Sequence, residues 1–324
     1  DGDVVSRVYN TPDVPFLDGG TGETAGLANI DSYYYNSIAK TRNYYGDLML
    51  NFNYDLNDNW GLKFNIGNNM QDLQYSVVQV GGVGLDVPGW YHIKNVLKPA
   101  AWSTLDNFVR NSRIVSGFAN LDLSYKDYLF FNGTFRYDQT SVFGTYSTGE
   151  KRFKDPGYAY YSGGFSFVPT KAFESIKGNV LNYMKISGSY TKVGNASSVA
   201  AYAIDPVMSI PIGYPFNGLP SYITNTAPTS ANIKPEFIST IEANLSLGLF
   251  RDRITFEGSV YQSNTKDLIT RATMSSTSGL ASLLGNYGEM RMRGFDIDLG
   301  VVPIKTSDFQ WNLSFNVSKW KNKI

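Results

Sequence analysis

Apolar and polar residues alternate with a period of two along much of this chain. Near the end, Phe309, Trp311, Leu313, Phe315 and Val317 share one parity, and Gln310, Asn312, Ser314, Asn316 and Ser318 share the other. Ile254, Phe256, Gly258 and Val260 likewise oppose Thr255, Glu257, Ser259 and Tyr261. Leu121 and Leu123 oppose Asn120, Asp122 and Ser124, while Leu129, Phe131 and Phe135 oppose Asn132, Thr134, Arg136 and Asp138. Successive side chains of a strand point to opposite faces, so this pattern predicts strands with one apolar and one polar face. The predicted strands are Asn43–Asp55, Trp60–Asn68, Arg113–Tyr125, Tyr128–Gln139, Gly157–Val168, Leu181–Lys192, Phe237–Phe250, Ile254–Ser263, Arg291–Val302 and Phe309–Lys319.

The links between these strands sort by length. Leu56–Asn59, Lys126–Asp127, Thr170–Val180, Arg251–Arg253 and Pro303–Asp308 are short, and the links after Asn68, Gln139, Lys192 and Ser263 are long. A membrane barrel sorts its links in this way, because its periplasmic turns are short and its outward loops long. Charges obey the same logic. Lys63, Asp122, Arg136, Lys185, Glu242, Glu257, Asp296 and Asp298 lie on the polar parity, and the apolar rows stay uncharged until Arg251, Arg293 and Lys319. A lipid-facing Arg or Lys costs roughly 2–4 kcal/mol at the bilayer midplane, so uncharged rows are what hydrocarbon requires. Aromatics gather at strand ends (Tyr44, Tyr45, Tyr54, Trp60, Tyr125, Tyr128, Tyr137, Trp311, Trp320), as in interfacial girdles. The expected fold is all-β: an antiparallel transmembrane β-barrel segment, about ten strands of a larger barrel, with long outward loops and short periplasmic turns. A soluble sandwich burying the apolar rows between two sheets is the alternative; it explains each strand singly but not the sorting of the links.

Composition narrows the function classes. Lys+Arg 28 balances Asp+Glu 28, which removes the basic stripe of a nucleic-acid binder. With no cysteine and one histidine, thiolate–metal chemistry is excluded and most acid–base chemistry with it. The opening Asp1-Gly-Asp-Val-Val has neither the basic head nor the apolar core of a signal peptide, and the expectation is an internal piece of a longer chain. Residues 1–324 then form part of one barrel domain, the remaining strands lying elsewhere, since open sheet edges are not tolerated in lipid.

Four segments carry a family resemblance. Tyr128-Leu-Phe-Phe-Asn-Gly-Thr-Phe-Arg136-Tyr-Asp138-Gln-Thr-Ser141-Val-Phe143 is similar to a strand ending in Arg-x-Asp-Gly-Ser-Ser-x-Phe, with Gln139 where the pattern has glycine. Met184-Lys-Ile-Ser-Gly-Ser-Tyr190-Thr-Lys-Val-Gly194-Asn195 resembles a Ser-Tyr-Gly-x-x-Gly-Asn strand exit. Arg253-Ile-Thr-Phe-Glu-Gly-Ser-Val-Tyr261 with Thr265-Lys-Asp267-Leu268 repeats an Arg-Ile strand and a Tyr-x-x-x-Thr-x-Asp-Leu exit. Asn286-Tyr-Gly-Glu-Met-Arg-Met-Arg-Gly294-Phe-Asp296 is similar to an Asn-x-Gly re-entry strand. In this order they resemble the SusC/RagA class of TonB-dependent outer-membrane transporters of the Bacteroidetes. That resemblance implies a barrel of about 22 strands, a plug domain outside this chain, a TonB complex acting through the plug, and a SusD-like surface lipoprotein over the outward loops. It also implies import of glycans or peptides without any bond made or broken, no catalytic residue and no cofactor. A passive porin or adhesin with the same strand grammar is the alternative within the outer membrane.

Candidate contact residues lie in two predicted outward links: Trp90, Tyr91 and Trp102, then Tyr202, Tyr214, Phe216 and Tyr222 among Pro206, Pro211, Pro215 and Pro220. Aromatic faces offer stacking platforms, and prolines stiffen the loops that present them. The same residues can equally pack loops against one another or against a lid protein. Arg136, Asp138, Glu242, Glu257, Asp296 and Asp298 are expected to line the lumen, the two aspartates in a network with Arg136, Lys185 or other basic partners. A carboxylate pair such as Asp296 and Asp298 can also hold Ca²⁺, but a structural role is the expectation. His92, beside Trp90 and Tyr91, reads as a loop histidine rather than a triad base, since no Gly-x-Ser-x-Gly turn accompanies it. Gly81-Gly-Val-Gly84 lacks the setting of a dinucleotide loop and reads as a flexible loop.

Overall fold

The computed structural model describes residues 2–10, 32–87, 89–100, 105–144, 157–205, 207–209, 219 and 221–324. Its strands are β1 Gly2–Asn10, β2 Tyr33–Asn57, β3 Trp60–Leu85, β4 Val96–Pro99, β5 Asn107–Tyr125, β6 Leu129–Thr140, β7 Gly157–Phe167, β8 Leu181–Asn195, β9 Met208–Ser209, β10 Ile223–Thr224, β11 Glu236–Leu249, β12 Ile254–Thr273, β13 Ser282–Lys305 and β14 Gln310–Lys323. Eleven of them form one sheet in the order β1-β2-β3-β5-β6-β7-β8-β11-β12-β13-β14, with β4 added to β3; β9 and β10 pair separately. Apart from these short strands, sequence neighbours are sheet neighbours, so the main sheet is an antiparallel meander.

Every predicted strand is present, but several run further. The predicted link after Asn68 is largely strand, since β3 continues to Leu85, and β12 runs ten residues past Ser263 to Thr273. β1 lies before the first predicted strand and pairs with β2 from Gly2↔Thr41 to Asn10↔Tyr33. Gly81 and Gly82 are buried strand residues of β3, not a flexible loop. A Cβ at Gly82 would strike the carbonyl of Lys98 on β4, so glycine is what lets the two backbones approach.

Two compact units divide the chain: Asp1–Tyr45 with Gln71–Arg113, and Gly46–Met70 with Ile114–Ile324. In the second unit the register turns the alternation into rows. Lys185, Ser246, Glu257, Asp298 and Asn316 lie opposite one another in turn on β8, β11, β12, β13 and β14. The next polar row is Ser187, Asn244, Ser259, Asp296 and Ser318. Apolar rows alternate with them: Met184, Leu247, Phe256, Leu299, Phe315 before the first, and Ile186, Leu245, Gly258, Ile297, Val317 between the two. Among the described residues, no second sheet covers these apolar rows. Val260 and Ile241 are each 59% exposed and Phe315 55%, which removes the sandwich alternative. An apolar surface this continuous needs a non-aqueous neighbour.

One end of the strands turns tightly. Lys126 and Asp127 both have positive φ (45° and 55°), and Tyr128 N–H closes on the Tyr125 carbonyl at 3.2 Å, a hairpin turn matched to strand twist. Asn57 Oδ1 accepts from the backbone N–H of Asn59 and Trp60 in the β2–β3 turn. Between β7 and β8 the link carries a short helix, α1 Pro169–Ala172. Rings form a chain along this end, Trp60–Tyr125, Tyr125–Tyr128, Tyr128–Phe167 and Phe167–Phe173, with centroids 4.6 to 6.4 Å apart. Trp320, assigned with these from its position near a strand end, instead lies opposite Gly294 on the polar parity.

At the other end the long links build a core of their own. Val142, Phe143, Tyr158, Val199, Ile204, Ile233 and Ile269 are buried together, with Phe237 and Leu284 packed against them. They come from six separate stretches of chain, so loop and strand ends are fastened by contacts distant in sequence.

Candidate functional site

Two polar clusters fix the geometry of this long-loop end, both in the second unit. The first is centred on Arg136 of β6. Its Nε donates to Asp138 Oδ1 at 2.6 Å, and its terminal nitrogen donates to Ser116 Oγ at 2.8 Å and Asn69 Oδ1 at 3.1 Å. Tyr160 donates its hydroxyl to the other Asp138 oxygen at 2.8 Å. Residues two apart on a strand share a face, which is why the Arg-x-Asp spacing makes an ion pair. Asp138 and Ser116 are buried, so the pair rigidifies the wall where β3, β5, β6 and β7 meet side chain to side chain.

The second cluster is centred on Glu236, the first residue of β11, which is buried at 5% exposure. Its carboxylate accepts from Ile269 N–H at 2.8 Å, Ser198 Oγ at 3.2 Å and Asn195 Nδ2 at 3.3 Å. Beside it the β12 backbone bulges, with Asp267 at φ 57° and the register to β13 shifting on either side of Leu268. Asn286 closes the bulge: its Nδ2 donates to the carbonyls of Asp267 (2.7 Å) and Lys234 (2.8 Å), and its Oδ1 accepts from Lys234 N–H (2.9 Å). Lys234 and Asp267 add an ion pair at 2.9 Å. The Gly194-Asn195, Asp267-Leu268 and Asn286-x-Gly288 motifs are therefore parts of one joint. Glu236 itself gave no sequence signal, because a lone acid at a strand start has no period.

The expected lumen residues lie on the polar parity, but not as one network. Glu257 faces Asp298 across the β12–β13 ladder, Glu242 lies opposite Ser189 and Tyr261, and Asp296 accepts from Ser318 Oγ at 2.5 Å. Arg136 is committed to Asp138, so the expected link from Arg136 to the aspartates is absent; Lys185 shares the Glu257–Asp298 row two strands from Glu257. A groove of about 690 Å³ opens on this face near the tight turns, lined among others by Lys63, Asp122, Asn132, Lys185, Ser187 and Asn244. Among the described residues, no group of three or more His, Cys, Asp or Glu side chains is placed to hold a metal ion.

The loop aromatics are spread over both units. In the first, Trp90 is 52% exposed and its ring stacks on His92 at 5.6 Å. His92 Nδ1 accepts from Lys94 N–H at 3.1 Å, so the histidine caps a turn. Asn95, almost fully buried, fastens this loop: its Nδ2 donates to the carbonyls of Trp90 and Val87, and its Oδ1 accepts from Val87 N–H. Tyr91 in the same loop is half-buried. In the second unit, Tyr202 (φ 64°) and Tyr222 are both exposed. Trp102, Tyr214 and Phe216 lie outside the described residues, as do the four prolines of the second link.

Residues 3–321 match the family model described as TonB dependent receptor-like, beta-barrel. The chain belongs to this family. It is 26% identical over 223 residues to TonB-dependent receptor SusC of Bacteroides thetaiotaomicron, covering 67% of this chain and 21% of SusC. TonB-dependent receptor P39 of Formosa agariphila is 22% identical over 307 residues, covering 91% of this chain and 28% of the relative. The chain thus spans about a quarter of the length of these relatives. Among solved structures, the RagAB peptide transporter matches with a TM-score of 0.81 at 17% identity, covering 99% of this chain and 33% of that one. The 'open-open' state of the RagAB peptide importer matches at 0.79 with the same identity and coverage. The SusC/RagA likeness carried by the four motifs is thereby established, and with it the outer membrane as the location. In a barrel of this family the tight turns face inward, the long-loop end faces outward and the apolar rows meet lipid.

Proposed function

We propose that this chain supplies barrel wall and outward rim to a TonB-energised importer of SusC/RagA type that takes up glycans or peptides. The observation that carries this reading is the wall itself. Its lumen face alternates acidic, basic and amide side chains around a wide groove, which suits a polar oligomer and a removable plug rather than an apolar solute. Likeness to the RagAB peptide importer supports peptides as cargo, and exposed rim aromatics able to stack on sugar rings support glycans. In this reading Trp90, Tyr91, Trp102, Tyr202, Tyr214, Phe216 and Tyr222 contact cargo or a SusD-like lipoprotein above the rim. Arg136, Asp138, Glu242, Glu257, Asp296 and Asp298 line the path, and TonB acts through a plug outside these residues. The chain performs no bond chemistry.

The test uses the full-length receptor with its co-expressed lipoprotein. Oligopeptide and oligosaccharide libraries are titrated against the wild type and against Trp90→Ala with Tyr202→Ala. The expected result is saturable binding of one library and loss of about ten-fold in affinity in the double variant, as for removal of stacking anchors. A stable open conductance in a planar bilayer, unaffected by TonB, would instead support the passive porin.

A further inference from the structure

The outward boundary of the lipid face differs between sectors. On β6, β7 and β8 that boundary carries Tyr137, Tyr161 and Tyr190, with Tyr161 and Tyr190 6.1 Å apart, and a single cation, Lys192, which lies opposite Tyr161 and over the Phe237 ring. On β13 and β14 it is dominated by cations. Arg293 lies opposite Lys321, Arg291 opposite Lys323, and Lys319 opposite Phe295, all on the parity of the apolar rows. β14 begins at Gln310, and a strand crosses the hydrocarbon in about 9–11 residues, so Lys319 stands at the outer-leaflet interface.

The two guanidinium groups are held by neutral partners. Arg293 Nε donates to Gln262 Oε1 at 2.7 Å and Arg291 Nε to Asn264 Oδ1 at 3.1 Å, both amides belonging to the same face of β12. Nε is thus spent on orientation while the terminal nitrogens stay available. Among the described residues, none of these five cations joins an ion pair. The one acid further along the same face of β13, Glu289, is outnumbered. A concavity of about 650 Å³ on this side is lined by Arg291, Lys323, Lys266, Asn264, Ser239 and Tyr190, and also by Glu289.

Lysines and arginines near a membrane surface commonly extend toward water for solvation alone. That explains an isolated cation. It does not explain five on adjoining strands, the two arginines held by amides rather than acids, where β6, β7 and β8 together carry three tyrosines and one lysine. We propose that the outward ends of β13 and β14 bind a phosphorylated lipid headgroup of the outer leaflet. Arg291 and Arg293 would grip phosphate oxygens through their planar terminal nitrogens, the lysines would add charge, and the acyl chains would lie along Ile297, Val317, Leu299 and Phe315. Such a site works whatever the cargo.

Native mass spectrometry of the detergent-purified full-length receptor, titrated with diphosphoryl lipid A, tests it. Wild type is expected to bind, and Arg291→Gln, Arg293→Gln and Lys321→Gln together are expected to weaken binding about a hundred-fold, from about five-fold per surface charge. Dephosphorylated lipid A should bind wild type as weakly as diphosphoryl lipid A binds the triple variant, and Lys171→Gln at the inward rim should change nothing. Heat-modifiable gel migration checks folding; if the triple variant fails it, Lys321→Gln alone is read for its five-fold effect. Equal binding by variant and wild type, equal binding of the dephosphorylated lipid, or full displacement by inorganic phosphate would each overturn the proposal.

Discussion

The membrane-crossing band and the outward rim are built from the same strands on different principles. Within the band each side chain has one neighbour to satisfy, hydrocarbon or lumen water, and parity alone assigns it. Val260 and Ser259 are adjacent in sequence yet belong to opposite worlds: one lies between Ala243 and Phe295, the other between Asn244 and Asp296. Beyond the band parity breaks at the Asp267 bulge, and stability passes to a shared core and to single polar hubs such as Glu236. A wall can thus be specified locally, whereas a rim must be specified by pairs distant in sequence.

The largest effect is expected inside the band. Val260→Arg in the full-length receptor should lower unfolding stability in lipid vesicles by roughly 2–4 kcal/mol, while Ser259→Arg, facing Asp296, should stay within about 0.5 kcal/mol. Urea titration followed by tryptophan fluorescence reads both, and equal losses would erase the distinction between the faces. Next comes the rim hub. Glu236→Ala leaves the buried Ile269 N–H without its partner, at roughly 1–3 kcal/mol, and also removes the bonds from the half-buried Asn195 amide and the exposed Ser198 hydroxyl, which water can replace. Hydrogen exchange should rise at Ile269 and nearby rim amides while the amides of Phe256 to Val260 keep their protection. Asn286→Ala removes three bonds at a half-buried site and should cost about 1–2 kcal/mol, seen as faster proteolysis near Lys234 and Asp267. The smallest change is at the inward turn, where Asp127→Gly should stabilise by about 0.5–1 kcal/mol by relieving a positive φ, offset by glycine's entropy.

The same division explains what could be read from the chain alone. Phe309 to Ser318, Ile254 to Tyr261 and Leu129 to Asp138 announce their faces because the bilayer enforces a two-way choice at each residue. β3 beyond Asn68 and β12 beyond Ser263 stay hidden because no hydrocarbon enforces alternation there. Asn95 and Glu236 do their work through partners that sequence proximity does not identify, such as the Val87 and Trp90 carbonyls or the Ile269 N–H. The expected joining of Asp296 and Asp298 to Arg136 fails for a related reason. Spacing gives a shared face but not which strands separate two residues on it, and Asp138 is nearer. The family motifs are legible as patterns, yet their common purpose at the bulge appears only once Asn195, Glu236, Asp267 and Asn286 are seen together.

A single-cysteine scan of residues 254–261 meets no background label from these 324 residues, which hold no cysteine, and any cysteine elsewhere in the receptor is first replaced by serine. Spin labels placed one at a time in the vesicle-reconstituted full-length receptor would be exposed to molecular oxygen, which partitions into lipid, and to a water-soluble nickel chelate. Oxygen access should peak at positions 254, 256, 258 and 260 and chelate access at 255, 257, 259 and 261. A flat profile, or oxygen access peaking at the odd positions, would contradict the assignment of these faces to lipid and lumen.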